Sequence, residues 1–353
     1  MKFGPVELDQ AVGKILGHNI SRPDGRRLFR KGRSLSIADV TELKRSGRQT
    51  VYVAELEAGD VNENDAAFRI ADAAAGLGIS VSKPTTGRSN LHADFLGILR
   101  VDIERLMQVN LLDAVTLATV EADSVVVPKQ MVATLKMIAY GVSKNIVREA
   151  ERLGQAETTI QIDKRPRPIL RIDPLERKKV GMILSGSPSA EERIVKGFEK
   201  AMRARLQMWG SDLDEVKFIP LEDLAGEQML AAEIEQMIAD DFEMIILAGE
   251  TAIMDRHDIA PRAVERSGGR VTCFGAPVDP GNLLMLARHD GSGRSVQIVG
   301  TPGCARSPKK NIVDLVIPRI LVGDYLTKMD IVRMGMGGML EDVPERGRAR
   351  KLN

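Results

Sequence analysis

The sequence predicts an α/β protein in which a mixed α+β N-terminal region precedes a three-layer, doubly wound and mostly parallel sheet. Two observations predict this class. Beyond residue 176, short apolar runs alternate with segments whose apolar residues recur at helical spacing. Residues 244–247 are all apolar, which is typical of a strand buried on both faces of a parallel sheet. Alternating strands and helices of this kind form one sheet with helices on both of its faces.

The elements of the second half follow in order. The predicted strands are 180–184, 216–219, 244–247, 270–274, 283–287 and 295–299, with a hairpin turn at 290–293. The predicted helices carry Ile194, Val195, Phe198, Met202 and Leu206 on one face, then Leu230, Ile234, Met237 and Ile238, and end with 312–321. Ser189 and Glu192 have the spacing of a capping box, which predicts where the first helix begins. Pro318 predicts that the last helix bends or ends early.

The first half is less regular. Its predicted helices are 6–16, 37–46, 63–75 and 94–108, and its predicted strands are 50–53 and 125–127. Prolines around a cation cluster predict a linker over roughly 163–178, because proline interrupts helix and strand alike. The chain is therefore expected to divide into 1–165, 176–325 and a flexible C-terminal tail, 326–353.

Composition excludes several classes of function. Fifty Lys and Arg residues nearly balance 49 Asp and Glu residues, and aromatics make up only 3% of the 353 residues, which argues against a nucleic-acid binder. Cys273 and Cys304 lack CxxC partners, which argues against structural zinc and suits a reducing compartment. No apolar run approaches the ~18 residues that a membrane span needs. We therefore expect a cytoplasmic protein without a membrane or nucleic-acid partner.

Ligands of open parallel sheets bind outside the carboxyl ends of the strands, and three loops of this chain qualify. The first loop, Ser185-Gly-Ser-Pro188, lies between a strand and a helix, where free N–H groups attract anions. Its alternative is a simple turn with a helix cap, since Glu191 and Glu192 already occupy the first helical turn.

The second loop runs from Ala248 to Asp258 after the most apolar strand. Gly249 allows a ligand to approach the backbone, and Asp255 and Asp258 are candidates for holding a metal ion. Asp258 has an alternative role as the cap of a helix, because Pro261 suits a first helical turn. His257 has no second histidine at ligand spacing, which argues against zinc.

The third loop, residues 300–311, leads from a strand into the last helix. Two glycines, hydroxyl side chains and the cations Arg306, Lys309 and Lys310 occur together in it, a composition that suits an anion cradle. The alternative is a solvated basic loop. The spacing is not that of a Walker loop.

Together, Gly249 to Asp258, Pro277-Val-Asp-Pro-Gly-Asn282 and Gly300-Thr-Pro-Gly-Cys-Ala-Arg-Ser-Pro308 resemble the molybdopterin-binding domain of molybdenum cofactor biosynthesis. That domain occurs in molybdopterin adenylyltransferases and molybdotransferases. In the first half, Thr86-Gly-Arg-Ser-Asn-Leu91 and residues 131–138 resemble the N-terminal part of proteins fused to a molybdenum cofactor cytidylyltransferase. The resemblance implies a molybdopterin-binding fold for 176–325 and a molybdotransferase-like region for 1–165.

The resemblance also implies roles for residues at matching positions. The implied ligand-binding residues are Ser185, Gly186, Gly249, Glu250, Thr251, Pro280, Gly281, Pro302, Gly303, Arg306 and Ser307. Asp258 and Asp255 are the implied catalytic residues, with Asp258 positioning Mg²⁺. Glu250 departs from the pattern of active members, which have a second glycine there. A carboxylate repels an anionic dithiolene or phosphate unless a cation lies between them.

The implied function is to bind molybdopterin or its nucleotide adduct. Two modes stay open: a transferase that inserts metal from molybdate, or a carrier that serves a separate cofactor nucleotidyltransferase or a molybdenum hydroxylase. The chain is also expected to form a homo-oligomer.

Overall fold

The computed structural model describes residues 1–155, 168–221, 224–250, 253–291 and 293–339. The chain divides into two compact units, Met1–Asp173 and Pro174–Asn353, called here the N-terminal and C-terminal units. It combines helices with several sheets, one of them six-stranded and mostly parallel, which confirms the α/β class. No helix in the described ranges is both long and apolar enough to cross a bilayer.

The N-terminal unit contains several small sheets with helices packed against them. Its strands are β1 (Lys2–Glu7), β2 (Ile15–Leu16), β3 (Ile20–Ser21), β4 (Arg27–Phe29), β5 (Thr50–Glu55), β6 (Asp60–Asn62), β7 (Ile79–Val81), β8 (Arg88–Ala93), β9 (Gly97–Val101), β10 (Val115–Thr119), β11 (Val125–Val126), β12 (Met131–Met137), β13 (Gly141–Ser143) and β14, which begins at Leu170 and ends at Pro174. Its helices are α1 (Ile37–Arg45), α2 (Glu63–Ala74), α3 (Ile103–Asn110) and α4 (Lys144–Gly154).

Two helix predictions in this unit are wrong. Residues 6–16 contain the end of β1, a short 3-10 helix (Leu8–Gln10) and β2, because β1 pairs along its length with β5. Residues 94–108 contain β9, and the helix begins only at Ile103, where the Asp102 carboxylate accepts the Arg105 amide as a helix cap. The predicted helices 37–46 and 63–75 are confirmed as α1 and α2, the predicted strand 50–53 is confirmed as β5, and the predicted strand 125–127 is confirmed as β11, which ends at Val126.

The predicted linker is partly wrong. Leu170 and Ile172 are fully buried and lie in β14, which pairs with β9, so alternating burial stabilises a strand despite the prolines nearby. Residues 163–167 lie outside the described residues. In the predicted flexible tail, Lys328–Arg333 form a helix that is capped by Thr327 and Asp330.

The C-terminal unit contains the six-stranded sheet. Its strands are β15 (Lys179–Gly186), β16 (Asp212–Pro220), β17 (Met244–Gly249), β18 (Arg270–Phe274), β19 (Met285–Gly291) and β20 (Arg294–Gly300), and its helices are α5 (Glu191–Met208), α6 (Leu224–Ala239), α7 (Ile259–Arg266), α8 (Val313–Leu321) and α9 (Lys328–Arg333). The strand order is β16-β15-β17-β20-β19-β18. The first four strands are parallel, and β19 is antiparallel to both of its neighbours.

Both faces of this sheet are buried. Ile183, Ile245 and Leu247 pack in one core cluster with residues of α6 and α7. The alternate residues Met182 and Ile246 are fully buried as well, because successive side chains of a strand point to opposite faces. The continuous apolar runs that predicted a parallel sheet therefore reflect the burial of both faces.

Two helix-end predictions in this unit are wrong. Ser189 does not cap α5: a 3-10 helix (Pro188–Ala190) precedes it, and the N-cap residue, Ala190, provides no side-chain acceptor. The face predicted for α5 is otherwise buried, except that Val195 is only half-buried. Of the two effects predicted from Pro318, the early helix end is wrong, since α8 continues past Pro318 to Leu321.

Candidate functional site

Four loops of the C-terminal unit leave the same edge of the sheet. Ser185 pairs with Gly249 and Leu247 with Gly300, so β15, β17 and β20 end side by side. β18 pairs antiparallel with β19, and β19 pairs antiparallel with β20, so β18 runs in the same direction as β20. Phe274, the last residue of β18, therefore also lies at this edge. The three loops that were predicted to bind a ligand, together with the Pro-Gly turn at 280–281, therefore share the edge at which ligands of parallel sheets bind.

A cavity of about 220 Å³ opens at this edge. Its apolar lining consists of Ile183, Leu221, Leu230, Leu247, Ala248, Ile253, Ile259 and Ala260, and the rest of its lining consists of Ser185, Gly186, Ser187, Gly249, Glu250, Asp258 and Thr301. The described residues that line it include two carboxylates but no arginine or lysine. Five predicted site residues therefore line one cavity: Ser185, Gly186, Gly249, Glu250 and Asp258.

The Glu250 carboxylate is held by the first loop. One of its oxygens accepts the Ser187 amide (2.9 Å) and the Ser187 hydroxyl (2.7 Å), and the other accepts the Arg193 guanidinium (2.9 Å). The Ser187 amide and hydroxyl, assisted by Arg193, keep the pKa of the Glu250 carboxyl below its ordinary value. An anionic ligand next to Glu250 would need a cation between the two negative charges. Arg193 is the cation beside Glu250, and it is already paired with this carboxylate.

Asp258 caps α7. One carboxylate oxygen accepts the Ile259 amide (2.8 Å) and the other accepts the Met254 amide (3.1 Å). The alternative role that Pro261 indicated is therefore present, and Asp258 also lines the cavity. Asp255 accepts the His257 amide (2.7 Å) and does not line the cavity. No group of three or more potential metal-ligating side chains occurs within the described ranges.

Substitution of Asp258 is expected to show how much its capping of α7 contributes to stability. Asp258→Ala removes the cap and should lower the free energy of unfolding by about 1 kcal/mol, whereas Asp258→Asn keeps one acceptor and should lower it by less. The emission of Trp209, which is buried and is the only tryptophan, measures both variants during urea unfolding. Equal losses in the two variants would contradict the capping role.

The third loop folds around a buried arginine of α5. The Arg205 guanidinium, in a residue only 4% exposed, donates to the carbonyls of Ala305 (3.0 Å), Ser307 (2.6 Å) and Lys309 (2.9 Å). It also pairs with Asp314 at 2.9 Å. This part of the loop thus directs carbonyls inward toward a cation, instead of directing amides toward a bound anion.

The predicted phosphate-binding residues of this loop do not line the cavity. Pro302, Gly303, Arg306 and Ser307 are all outside its lining, and only Thr301 connects the loop to it. Thr301 is buried, and its amide (2.8 Å) and hydroxyl (3.2 Å) both donate to the Leu247 carbonyl. Arg306, Lys309 and Lys310 are exposed.

The Pro280-Gly281 turn packs against Ile312, the N-cap residue of α8, and neither turn residue lines the cavity. The Pro280 carbonyl accepts the Ile312 amide (3.2 Å). A Cβ atom on Gly281 would lie 2.4 Å from the Cβ of Ile312, and its φ of +143° disfavours other residues. Thr251, also predicted to bind the ligand, lies outside the described residues.

Sequence reasoning missed four residues of this region: Ser187, Arg193, Arg205 and Thr301. Ser187 and Thr301 lie inside loops that the sequence had marked, so their hydroxyls were available as signals. Arg193 is 57 positions from Glu250, and no local pattern indicates that pair. Arg205 lies in α5 among several other charged residues, and no local pattern distinguishes it from a surface cation.

The fold and the cavity together define an α/β protein with a small cavity at the carboxyl edge of a mostly parallel sheet. A family described as a domain of unknown function (DUF8806) matches residues 5–55, within the N-terminal unit. No curated protein matches the chain.

Three solved structures show remote similarity. A molybdenum cofactor biosynthesis protein from Pyrococcus furiosus is 10% identical, with 94% of this chain covered, 65% of that chain covered and a TM-score of 0.24. A protein from Corynebacterium diphtheriae assigned to the same biosynthesis is 13% identical, with coverages of 44% and 99% and a TM-score of 0.28. Molybdenum cofactor biosynthesis protein B is 13% identical, with coverages of 41% and 94% and a TM-score of 0.28. The chain thus spans about two thirds of the length of the Pyrococcus protein, and these likenesses are too remote to bear on function.

Proposed function

We propose that the chain binds molybdopterin for molybdenum cofactor biosynthesis, with the pterin ring in the cavity at the carboxyl edge of the six-stranded sheet. One observation carries the proposal: the loops that resemble the molybdopterin-binding domain leave the same edge of the sheet, and the second of these loops provides both carboxylates of the cavity lining, Glu250 and Asp258. The identity of the ligand is inferred from the resemblance, and the way in which it binds is inferred from the cavity.

The chemistry of the lining fits the pterin ring better than the rest of the ligand. A pterin is flat and neutral, and its amino and ring N–H groups are hydrogen-bond donors. Apolar side chains pack against the faces of such a ring, and carboxylates accept from its edge. At about 220 Å³ the cavity is smaller than most drug-sized sites, which are roughly 300–1,000 Å³, so it suits one ring system.

The phosphate and dithiolene belong outside this cavity. Glu250 and Asp258 repel negative charge, the described lining residues include no arginine or lysine, and the nearby Arg193 is already paired with Glu250. Arg306, Lys309 and Lys310 are exposed on the loop that begins at Thr301. In this proposal they attract the ligand's phosphate to the rim while Thr301 lies beside the ring.

The carrier mode is favoured over transfer of metal. Both oxygens of Asp258 already accept backbone amides, and Asp255 lies outside the lining. One carboxylate with two structural hydrogen bonds is a poor match for Mg²⁺, which demands near-ideal octahedral geometry. The recipient in this mode is a cofactor nucleotidyltransferase or a molybdenum hydroxylase.

Incubation of the full chain with molybdopterin, molybdate, Mg²⁺ and a nucleotide tests both modes. Native mass spectrometry should show the protein with unchanged molybdopterin bound. Formation of a metal-loaded or nucleotide-linked product would make the protein a transferase. Failure to retain any molybdopterin would contradict the proposal itself.

A further inference from the structure

The Glu250 carboxylate binds to a group of hydrogen-bond donors that would also suit a phosphate. The Ser187 amide, the Ser187 hydroxyl and the Arg193 guanidinium converge on the carboxylate of Glu250, all within 2.9 Å. A backbone N–H, a hydroxyl and a guanidinium are also the groups that commonly bind phosphate oxygens. An anionic ligand at this corner of the cavity would have to displace Glu250 or accept its repulsion.

The backbone is arranged for this contact. The Glu250 amide donates to the Ser185 carbonyl at 2.8 Å, which fixes the second loop against the first. A Cβ atom on Gly186 would lie only 2.8 Å from the Cβ of Glu250, so the absence of a side chain at Gly186 permits the approach. The position of Glu250 therefore depends on two backbone features as well as on its own side-chain contacts.

We propose that Glu250 is a specificity-determining residue that closes the corner formed by Ser187 and Arg193 to phosphate and offers a carboxylate oxygen to a ligand N–H group. Among the residues that the structure describes, one donor, Arg193, reaches the first carboxylate oxygen, which leaves a second lone pair there, whereas two donors reach the other oxygen. The ligand class is a neutral heterocycle with N–H donors at its edge. The identity of that ligand rests on the proposed function, but the closure to phosphate does not.

Substitution by glutamine tests the closure. Glu250→Gln keeps the size of the side chain, removes its charge and releases donors that had an ionised partner. Calorimetric titration of the full chain with inorganic pyrophosphate should show at least tenfold tighter binding by Glu250→Gln, and also by Glu250→Ala, than by the unaltered protein. No gain in either variant would overturn the proposal.

Two controls locate the effect. Glu265 is also paired with an arginine, Arg256, in the same unit and lies outside the cavity lining, so Glu265→Gln removes one negative charge elsewhere and should leave pyrophosphate binding unchanged. Adding Arg193→Gln to Glu250→Gln should abolish most of the gain. An equal gain in Glu265→Gln, or a full gain in the double variant, would contradict closure at this corner.

A second titration tests the acceptor role. Unsubstituted pterin is fluorescent and carries no phosphate, so its binding is measured directly. Glu250→Gln should weaken it at least fivefold relative to the unaltered protein, and undiminished binding would overturn the acceptor role. If the unaltered protein binds no pterin, the proposed function fails with the acceptor role, while the pyrophosphate titrations still decide the closure.

Discussion

Replacing Arg205 with alanine is expected to destabilise the C-terminal unit by about 3–5 kcal/mol, because removal of one partner of a buried ion pair leaves the charge of the other, Asp314, without its counter-ion. The guanidinium serves three loop carbonyls and the Asp314 carboxylate, which is itself largely buried. Asn311 still donates to the Lys309 carbonyl and to the Asp314 carboxylate in such a variant, whereas the carbonyls of Ala305 and Ser307 lose the guanidinium. The third loop should therefore lose its shape along with its stability.

Urea unfolding followed by Trp209 emission measures this effect in the appropriate unit, since Trp209 is buried next to the end of α5. Arg203 on the same helix is a matched control: it is about one-third exposed and pairs with Glu199 and Asp212. Arg203→Ala should cost about 1 kcal/mol or less, as is usual for exposed pairs. A loss below 1 kcal/mol for Arg205→Ala would show that the loop does not depend on this arginine.

Replacing Ala260 with phenylalanine is expected to weaken molybdopterin binding at least tenfold, which corresponds to about 1.4 kcal/mol. Ala260 lies in the first turn of α7 and lines the cavity, so a phenyl ring there would occupy the volume in which we propose that the pterin binds. Titration of the full chain with molybdopterin measures the loss.

The matched control for this substitution is Ala232→Phe. Ala232 is exposed on α6 and outside the lining, so the same chemical change leaves the cavity open. Its affinity should equal that of the unaltered protein. Equal affinities for Ala260→Phe and the unaltered protein would show that the ligand binds elsewhere.

The parallel sheet could be predicted because a strand that is buried on both faces has an uninterrupted run of apolar residues. Met244 to Leu247 are apolar in succession, and no other role explains that run as simply. The edge at which the loops meet followed from the same strands, since parallel strands end together. The cap at Asp258 was indicated by Pro261, whose fixed φ suits a first helical turn.

The failures have a common physical cause, which is pairing between distant segments. Residues 6–16 have apolar side chains at spacings that a helix would also use, but β1 pairs with β5, more than forty positions away. Ser189 and Glu192 have capping-box spacing, yet the chain forms a 3-10 turn there instead. The contacts of Glu250 with Arg193, and of Arg205 with the third loop, are likewise invisible to local patterns.

The most direct test of the proposed binding mode is a crystal structure of the full chain with molybdopterin bound. The pterin ring should lie against Ile253 and Ala260, with its N–H edge facing Glu250 and Asp258, and the phosphate should lie toward Arg306. Density for the phosphate inside the cavity beside Ser187, or for the ring at any other place, would contradict the account.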